Sequence, residues 1–285
     1  MNADIRNSFA LDEIFSTFEP AAVIHFAGLK AVGESVADPM KYYDANVCGS
    51  VSLLMAMSKA GCNDIIFSSS ATVYGEPKYL PYDEEHPTNP VNPYGRTKLI
   101  IENIISDWTK ADERRRATIL RYFNPVGAHE SGQIGEEPIG VPNNLMPLIA
   151  QVANGRRDCL NIFGNDFDTI DGTGARDYIH VVDLAHAHIS ALESKVLDNF
   201  EILNVGGQKS TTVLELIKSF ELASGITIRF KYLPRRDGDI AASFANTSKA
   251  FKKMSWQSEK SIKNICEDTW RWHKDNPNGY GDDII

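Results

Sequence analysis

The chain of 285 residues has only four cysteines (Cys48, Cys62, Cys159 and Cys266), and no two stand in a Cys-x-x-Cys or other metal-ligand spacing. Scattered thiols of this kind suit packing in a reducing compartment, not a disulfide frame or a zinc site. Apolar runs are short, and none approaches the roughly 18 residues of a membrane span. The opening segment, Met1-Asn-Ala-Asp-Ile-Arg-Asn7, has no apolar secretory core, so the cytoplasm is the expected location. Positive charge is in deficit as well. With 29 Lys and Arg against 38 Asp and Glu, the net charge is −9, which argues against a nucleic-acid or membrane-surface binder. An anionic ligand would need arginines placed locally against that field. Repeats and low-complexity tracts are missing too. What remains is an ordinary globular composition, long enough to bury a substantial core in one large domain or two small ones.

Strand and helix patterns alternate along the first half. Ala21-Ala-Val-Ile-His-Phe-Ala27 reads as a buried parallel strand ending at Gly28. Met40, Tyr43, Val47, Val51, Leu54 and Met55 predict one long helix over Pro39–Ala60, closed by Gly61. Ile65–Ser70 and Thr118–Phe123 read as further strands. This order predicts a doubly wound parallel α/β sheet, whose ligands lie at the carboxyl ends of the strands. Gly28, Ser70 and Asn124 all fall at such ends. Residues 124–144 read as a long loop. Beyond it the texture predicts helices near 144–154, 181–193, 212–224 and 262–274, strands near 160–164, 202–205 and 226–232, and a turn-rich stretch over 165–175.

Tyr94-Gly-Arg-Thr-Lys98 carries the chemistry. On a helix, residues i and i+4 share a face, so an ammonium would stand beside a phenol and favour the phenolate. Such a phenol can serve as a base near neutral pH. Roughly one Tyr-x-x-x-Lys match is expected by chance in a chain with this much Tyr and Lys, and a second match does occur, Tyr74-Gly-Glu-Pro-Lys78. Gly75 and Pro77 break that copy as a helix. The Tyr94 copy instead opens one: Pro93 suits a first turn, and Leu99, Ile100, Ile104, Ile105 and Trp108 follow at helical spacing. A serine that could share the proton, Ser70, stands upstream at a strand end.

Several segments in order extend this pattern: Ala22-Val-Ile-His-Phe-Ala-Gly28, Phe67-Ser-Ser-Ser-Ala-Thr-Val-Tyr-Gly75, Asn92-Pro-Tyr-Gly-Arg-Thr-Lys98 and Leu120-Arg-Tyr-Phe-Asn-Pro-Val-Gly-Ala128. Asn143-Asn-Leu-Met-Pro147, Asp171-Gly-Thr-Gly-Ala-Arg-Asp-Tyr-Ile-His180 and Pro234-Arg-Arg-Asp-Gly-Asp239 continue it. Over nearly its whole length the chain resembles the UDP-glucose 4-epimerases, extended short-chain dehydrogenases/reductases. The family's first strand and its Gly-x-x-Gly-x-x-Gly turn, which seats a pyrophosphate at a helix N-terminus, have no counterpart in the sequence. The resemblance therefore implies a Rossmann-type sheet without its first βαβ unit, joined to a smaller mixed α/β substrate domain. The expected NAD-binding part is 1–122 with about 177–208, and the expected UDP-sugar part is about 123–176 with 209–285.

The resemblance also implies the reaction, an isomerisation of UDP-glucose and UDP-galactose in galactose metabolism. C4 of a sugar carries no acidic hydrogen, so inversion proceeds by transient oxidation. A base takes the 4-OH proton while hydride passes to NAD, and hydride returns to the other face of the 4-keto sugar. Tyr94 is implied as the base, Lys98 as the group that lowers its pKa and holds the nicotinamide ribose, and Ser70 as the proton-sharing partner. Asp4, Ile5, Phe26, Ala27, Gly28, Lys30, Asn46, Tyr122 and Phe123 are implied as further cofactor contacts. For the UDP-sugar they are Asn124, Asn144, Leu145, Phe163, Arg176, Arg236, Asp239 and Ser243, with Arg176 and Arg236 as the diphosphate clamps. Ser243 is small and should leave room at C2 for an N-acetyl group.

Competing readings are distinguishable. Sugar-nucleotide 4,6-dehydratases share Tyr-x-x-x-Lys but need an acid/base pair directly after the active-site hydroxyl, where this chain has Ala71-Thr72. A catalytically inactive paralogue that binds nucleotide or a protein partner is the alternative of another class. His186-Ala-His188 does not share a helix face, so no metal is expected. The helix over Pro39–Ala60 and the Tyr94 helix are expected to pair with a second copy in a four-helix interface, giving a homodimer.

Overall fold

The structure is a computed structural model and describes residues 1–138, 140, 142, 144–236 and 238–280. The chain begins with α1 (Ser8–Phe18), β1 (Val23–His25), α2 (Val32–Ala37), α3 (Pro39–Tyr42) and α4 (Gly49–Ala60). Next come β2 (Asp64–Ser70), α5 (Pro93–Lys110), β3 (Arg116–Tyr122), β4 (Asn124–Val126) and α6 (Leu145–Ala153). Then follow β5 (Leu160–Phe163), β6 (Ala175–His180), α7 (Val181–Glu193), β7 (Phe200–Val205) and β8 (Ser210–Thr212). The last elements are α8 (Val213–Ser224), β9 (Phe230–Leu233), β10 (Ala242–Ser243), α9 (Ser248–Met254) and α10 (Ile262–Asp275).

Four parallel strands form the main sheet in the order β1-β2-β3-β7. The period of two along β2 decides which face each residue serves. Ile65 and Phe67 pack with Leu11 and Phe15 of α1, Leu54 and Met57 of α4, and Ile101 and Ile105 of α5. Ile66 points the other way, with Leu120 and Leu203, onto Leu184 and Ala187 of α7 and Met254 of α9. A sheet covered on both faces is why its strands read as continuous apolar runs. β1 forms an edge, and there Ile24 and Phe26 are exposed.

A second sheet runs β10-β6-β4, all parallel, with β8 antiparallel to β6. β5 and β9 form a separate parallel pair. Between them α6, α8 and α10 bury a core of their own, built on Ile149, Ile162, Leu216, Phe220 and Ile265. Asp177 ties this part to the main sheet. Its carboxylate accepts from the backbone N–H of Gly207 at 2.5 Å, just past β7, and of Ala245 at 2.9 Å.

The long helix expected over Pro39–Ala60 is interrupted. Tyr43–Cys48 is a π-helical segment between α3 and α4. No Gly or Pro marks it, so apolar periodicity does not reveal it. The wider turn frees Asn46 to bond outside the helix, a use common for such segments at functional sites. The strand expected over 226–232 forms only from Phe230. Ile228 is buried, but its N–H goes to the Glu221 carboxylate at 2.8 Å, so its apolar character packs a loop onto α8. The loop expected over 124–144 opens with β4, and 175–180, left between the expected turn-rich stretch and the next helix, is the central strand of the second sheet. Among the described residues, no helix is long and apolar enough to cross a membrane.

Candidate active site

Ser70 ends β2 and Tyr94 opens α5, and the chain brings the two together through a glycine. A Cβ at Gly95 would stand 2.9 Å from the Thr72 carbonyl oxygen and 2.9 Å from Pro90 Cβ. Only a residue without a side chain lets the helix start so close to the turn that follows Ser70. Asn92 caps the helix by accepting from Gly95 N at 2.8 Å, and Pro93 fills the first turn. Tyr94 N in turn donates to Ser35 Oγ at 3.2 Å. Ser70 Oγ accepts from Thr72 N at 3.3 Å and from Thr72 Oγ1 at 3.0 Å, which leaves its own hydrogen to donate. Burial pushes the Tyr94 phenol up, and hydrogen bonding from Ser70 offsets part of that push.

Lys98 corrects the expectation drawn from spacing. It shares the Tyr94 face of α5, but its ammonium lies 5.9 Å from the Tyr94 ring centroid and donates to the Ser68 carbonyl at 2.6 Å. It also rests 4.8 Å from the Phe67 ring centroid. The net direction for Tyr94 is upward because burial outweighs its partners. Burial likewise takes Lys98 itself down to about 8 from the usual 10.5, opposed by the Glu102 carboxylate. Between those two pH values the unfolded chain holds the extra proton. The Lys98 contribution to stability therefore rises with pH across the window from about 8 to 10.5. Thermal unfolding of wild type and Lys98→Met should show wild type gaining on the variant as the pH is raised through it. A constant difference would contradict this.

The segment after β1 forms an exposed shelf at the same sheet end. Phe26, Ala27, Gly28 and Lys30 are exposed, and Asn46 holds the shelf in place. Asn46 accepts from Leu29 N at 2.7 Å and donates to Leu29 O at 3.0 Å and to Thr97 Oγ1 at 3.1 Å. A Cβ at Gly28 would come within 3.1 Å of Asn46 Oδ1. Shelf, Asn46, Thr97 and Lys98 are thus one connected unit. Ile5 packs against Gly49, where a Cβ would lie 2.6 Å from Ile5 Cδ1. The Asp4 carboxylate is bound to Arg6, which holds it well below the usual carboxylate range. Tyr122 and Phe123 sit differently from one another. The Tyr122 hydroxyl bonds buried His188, whereas Phe123 packs with Val73, Tyr74 and Tyr82.

On the second sheet the other candidates converge. Ser243 pairs with Arg176 in register, and Asn124 pairs with Tyr178 two residues further along β6. Arg176 is half-buried and, among the described residues, bonds to carbonyls alone, Ala175 O at 2.8 Å and Ile240 O at 3.0 Å. Burial, helped by the like charge of Arg236, lowers its pKa. Among the described residues Arg176 makes no salt bridge, and a guanidinium of this kind beside a second one suits an anion. Arg236 lies 4.7 Å from the Phe163 ring centroid and bonds Asp239 at 3.0 and 3.1 Å, so these three candidates form one cluster. Arg235 is spent on Asp166 and on the Phe167 ring. Asn144 stands exposed at the start of α6, where Leu145 is half-buried against the core.

The sequence reading overlooked Glu102, Arg121 and Ser69. Glu102 and Arg121 form a salt bridge at 2.7 Å with side chains 3% and 4% exposed. The available signal was the continuation of Tyr94 and Lys98 to Glu102 at the next i+4 position, with an Arg inside an otherwise apolar strand. His188 is held by Tyr122 and by Leu184 O, and no group of three or more potential metal ligands occurs among the described residues.

Known proteins resemble the chain over nearly its whole length. The family model described as GDP-mannose 4,6 dehydratase matches residues 1–269. UDP-glucose 4-epimerase of Bos taurus is 53% identical over 280 residues, which cover 98% of this chain and 80% of the relative. UDP-glucose 4-epimerase from Bifidobacterium longum, solved with NAD+ and UDP, superposes with a TM-score of 0.94 at 47% identity, over 98% of this chain and 84% of that one. The enzyme from Stenotrophomonas maltophila, solved with NAD and formylated UDP-arabinopyranose, also has a TM-score of 0.94, at 46% identity over 97% of this chain and 83% of that one.

Proposed function

Since the chain belongs to the UDP-glucose 4-epimerase family of extended short-chain dehydrogenases/reductases, we propose that Ser70, Tyr94 and Lys98 carry its reaction. That reaction is the NAD-dependent interconversion of UDP-glucose and UDP-galactose by transient oxidation at C4. The observation that carries the residue assignment is the approach of Tyr94 to Ser70 at the end of β2, enforced by Gly95, with the buried Lys98 ammonium on the same helix face.

The residues fit the nicotinamide-ribose half of NAD. An ammonium has three donors, and Ser68 O is the one acceptor recorded for Lys98 among the described residues. Two N–H groups remain, beside the shelf formed by Phe26, Ala27, Gly28 and Lys30, and they match a ribose diol. Tyr122 and Phe123 close that end of the sheet, and Asp4 with Ile5 stands at the start of the chain for the adenine side. NAD held there would supply the hydride acceptor and donor for C4. Tyr94 takes the 4-OH proton and gives it back, Ser70 donates to the same oxygen, and Lys98 stabilises the phenolate through its charge. Tyr94 and Ser70 are half-buried, so a bound substrate would complete their shielding from water competing for that proton.

Arg176 and Arg236 hold the diphosphate, with Asn124, Asn144, Leu145, Phe163, Asp239 and Ser243 around the uridine and sugar. Arg176→Ala should raise KM for the UDP-sugar roughly tenfold to a hundredfold, from the loss of about 1.5–3 kcal/mol of charged hydrogen bonding. It should change kcat far less, and steady-state kinetics separates the two. The small Ser243 beside Arg176 supports use of N-acetylated UDP-hexosamines. Assay with UDP-GlcNAc tests this, and absence of turnover by protein active on UDP-glucose would exclude it. We assign the protein to cytoplasmic galactose metabolism.

The separate cores support a division into an NAD-binding part, 1–122 with about 177–208, and a UDP-sugar part. A homodimer through α3, α4 and α5 is supported by Met40 and Met55, which stand 71% and 69% exposed on the helices that flank the sheet. Purified protein that turns over should show reduced-nicotinamide absorbance on addition of UDP-sugar. Active protein with no such signal would refute the oxidative route.

A further inference from the structure

Glu102 is buried one helical turn beyond Lys98 and two beyond Tyr94, so three functional side chains stand on one face of α5. Its carboxylate accepts from Arg121 Nε at 3.1 Å and Nη2 at 2.7 Å, and from Ser69 Oγ at 2.5 Å. Ser69 lies between Ser68, whose carbonyl receives the Lys98 ammonium, and Ser70, which serves Tyr94. A single carboxylate thus reaches the strand segment that holds both catalytic partners. A buried ion pair of this kind is poor at stabilising a fold, since apolar residues of the same volume usually do as well or better. Its value lies in what it does to its neighbours.

We propose that Glu102, itself held by Arg121 and Ser69, is a positioning residue that keeps the buried Lys98 ammonium charged and fixes the end of β2 against α5. The inference rests on the assignment of Lys98 to the reaction. The groups that bear on Lys98 are few. From β1 comes His25, which burial and Lys98 together lower to about 4, so it is neutral. From α5 come Tyr94, neutral at rest, and Glu102, and from β3 comes Arg121, turned to Glu102 and 4.8 Å from the Tyr74 ring centroid. Among the described residues, Glu102 is the one anion acting on Lys98. With it, Lys98 titrates near 8. Without it, an ammonium in this desolvated place loses its proton nearer neutrality and can no longer stabilise a phenolate.

The test reads the Lys98 titration directly, by carbon-13 NMR of lysine-labelled protein, with the resonance assigned by its loss in Lys98→Met. Glu102→Gln should lower the Lys98 midpoint by roughly one pH unit, the scale for loss of a close opposite charge. Glu102→Asp should keep it near wild type. Because Glu102→Gln leaves Arg121 unpaired and can unfold the protein, the double variant Glu102→Leu/Arg121→Met is measured beside it, and the midpoint should fall there too. The alkaline limb of kcat should move down with the midpoint in each variant. A folded variant without the carboxylate whose Lys98 midpoint stays at the wild-type value overturns the proposal. Full turnover by Lys98→Met would refute the site assignment beneath it instead, and the NMR midpoint separates the two failures.

Discussion

Replacing Tyr94 by Phe is expected to lower kcat by about 10²–10⁴-fold, the usual worth of a positioned acid/base group. The loss should fall on kcat, with KM for the UDP-sugar little changed, because in the proposed arrangement the hydroxyl works on the 4-OH proton while Arg176 and its neighbours hold the sugar nucleotide. The fold should tolerate the change. The ring stays, and no hydrogen bond from the Tyr94 hydroxyl to an element beyond Ser70 is recorded among the described residues. The resting phenol is raised by burial, so it holds its proton near neutral pH until positive charge and Ser70 offset the desolvation. Steady-state kinetics together with calorimetric binding of UDP checks the prediction. A variant that keeps more than a tenth of wild-type kcat would remove Tyr94 as the base.

Arg121→Met is expected to destabilise the protein by about 3–5 kcal/mol, because it leaves the Glu102 charge buried without its partner. The guanidinium gives Glu102 two of its hydrogen bonds, and with side chains only 4% and 3% exposed, water cannot take its place. Replacing both members, as in Glu102→Leu/Arg121→Met, should recover most of that loss, since neither charge then needs a partner. Chemical denaturation of wild type and the two variants measures both effects. If the double variant is no more stable than the single, packing and not charge explains the cost.

The sheet was legible because its strands are buried on both faces, so Ala21–Ala27, Ile65–Ser70 and Thr118–Phe123 stand out as apolar runs. The helices α5, α7 and α8 were legible from the sequence, α5 from its apolar periodicity and from Pro93 in its first turn. The π-helical turn at Tyr43–Cys48 was not, because it adds a residue to a helix without changing which side chains are apolar. β6 was hidden because its buried residues include Asp177 and His180, polar groups satisfied only by distant partners, Ala245 and Gly207 for the one and Asp268 for the other. Ser70, Tyr94, Arg176 and Ser243 were named from the resemblance, and the structure sets Ser70 close to Tyr94 and Ser243 in register with Arg176. The local expectation that an i+4 ammonium rests directly against the phenol did not hold for Lys98, since a long side chain in a desolvated site turns to the nearest backbone carbonyl, here Ser68 O. Glu102 escaped notice because its role depends on Arg121, a strand residue far away in sequence.

The central claim is that C4 inverts through oxidation, with its hydrogen removed and returned inside the protein. It is tested most directly with UDP-glucose carrying deuterium at C4, converted in ordinary water and followed by mass spectrometry and proton NMR. The account predicts UDP-galactose that keeps the deuterium at C4, with conversion slowed about 10²–10⁴-fold by Tyr94→Phe. Product that has exchanged its C4 deuterium for solvent hydrogen would contradict it.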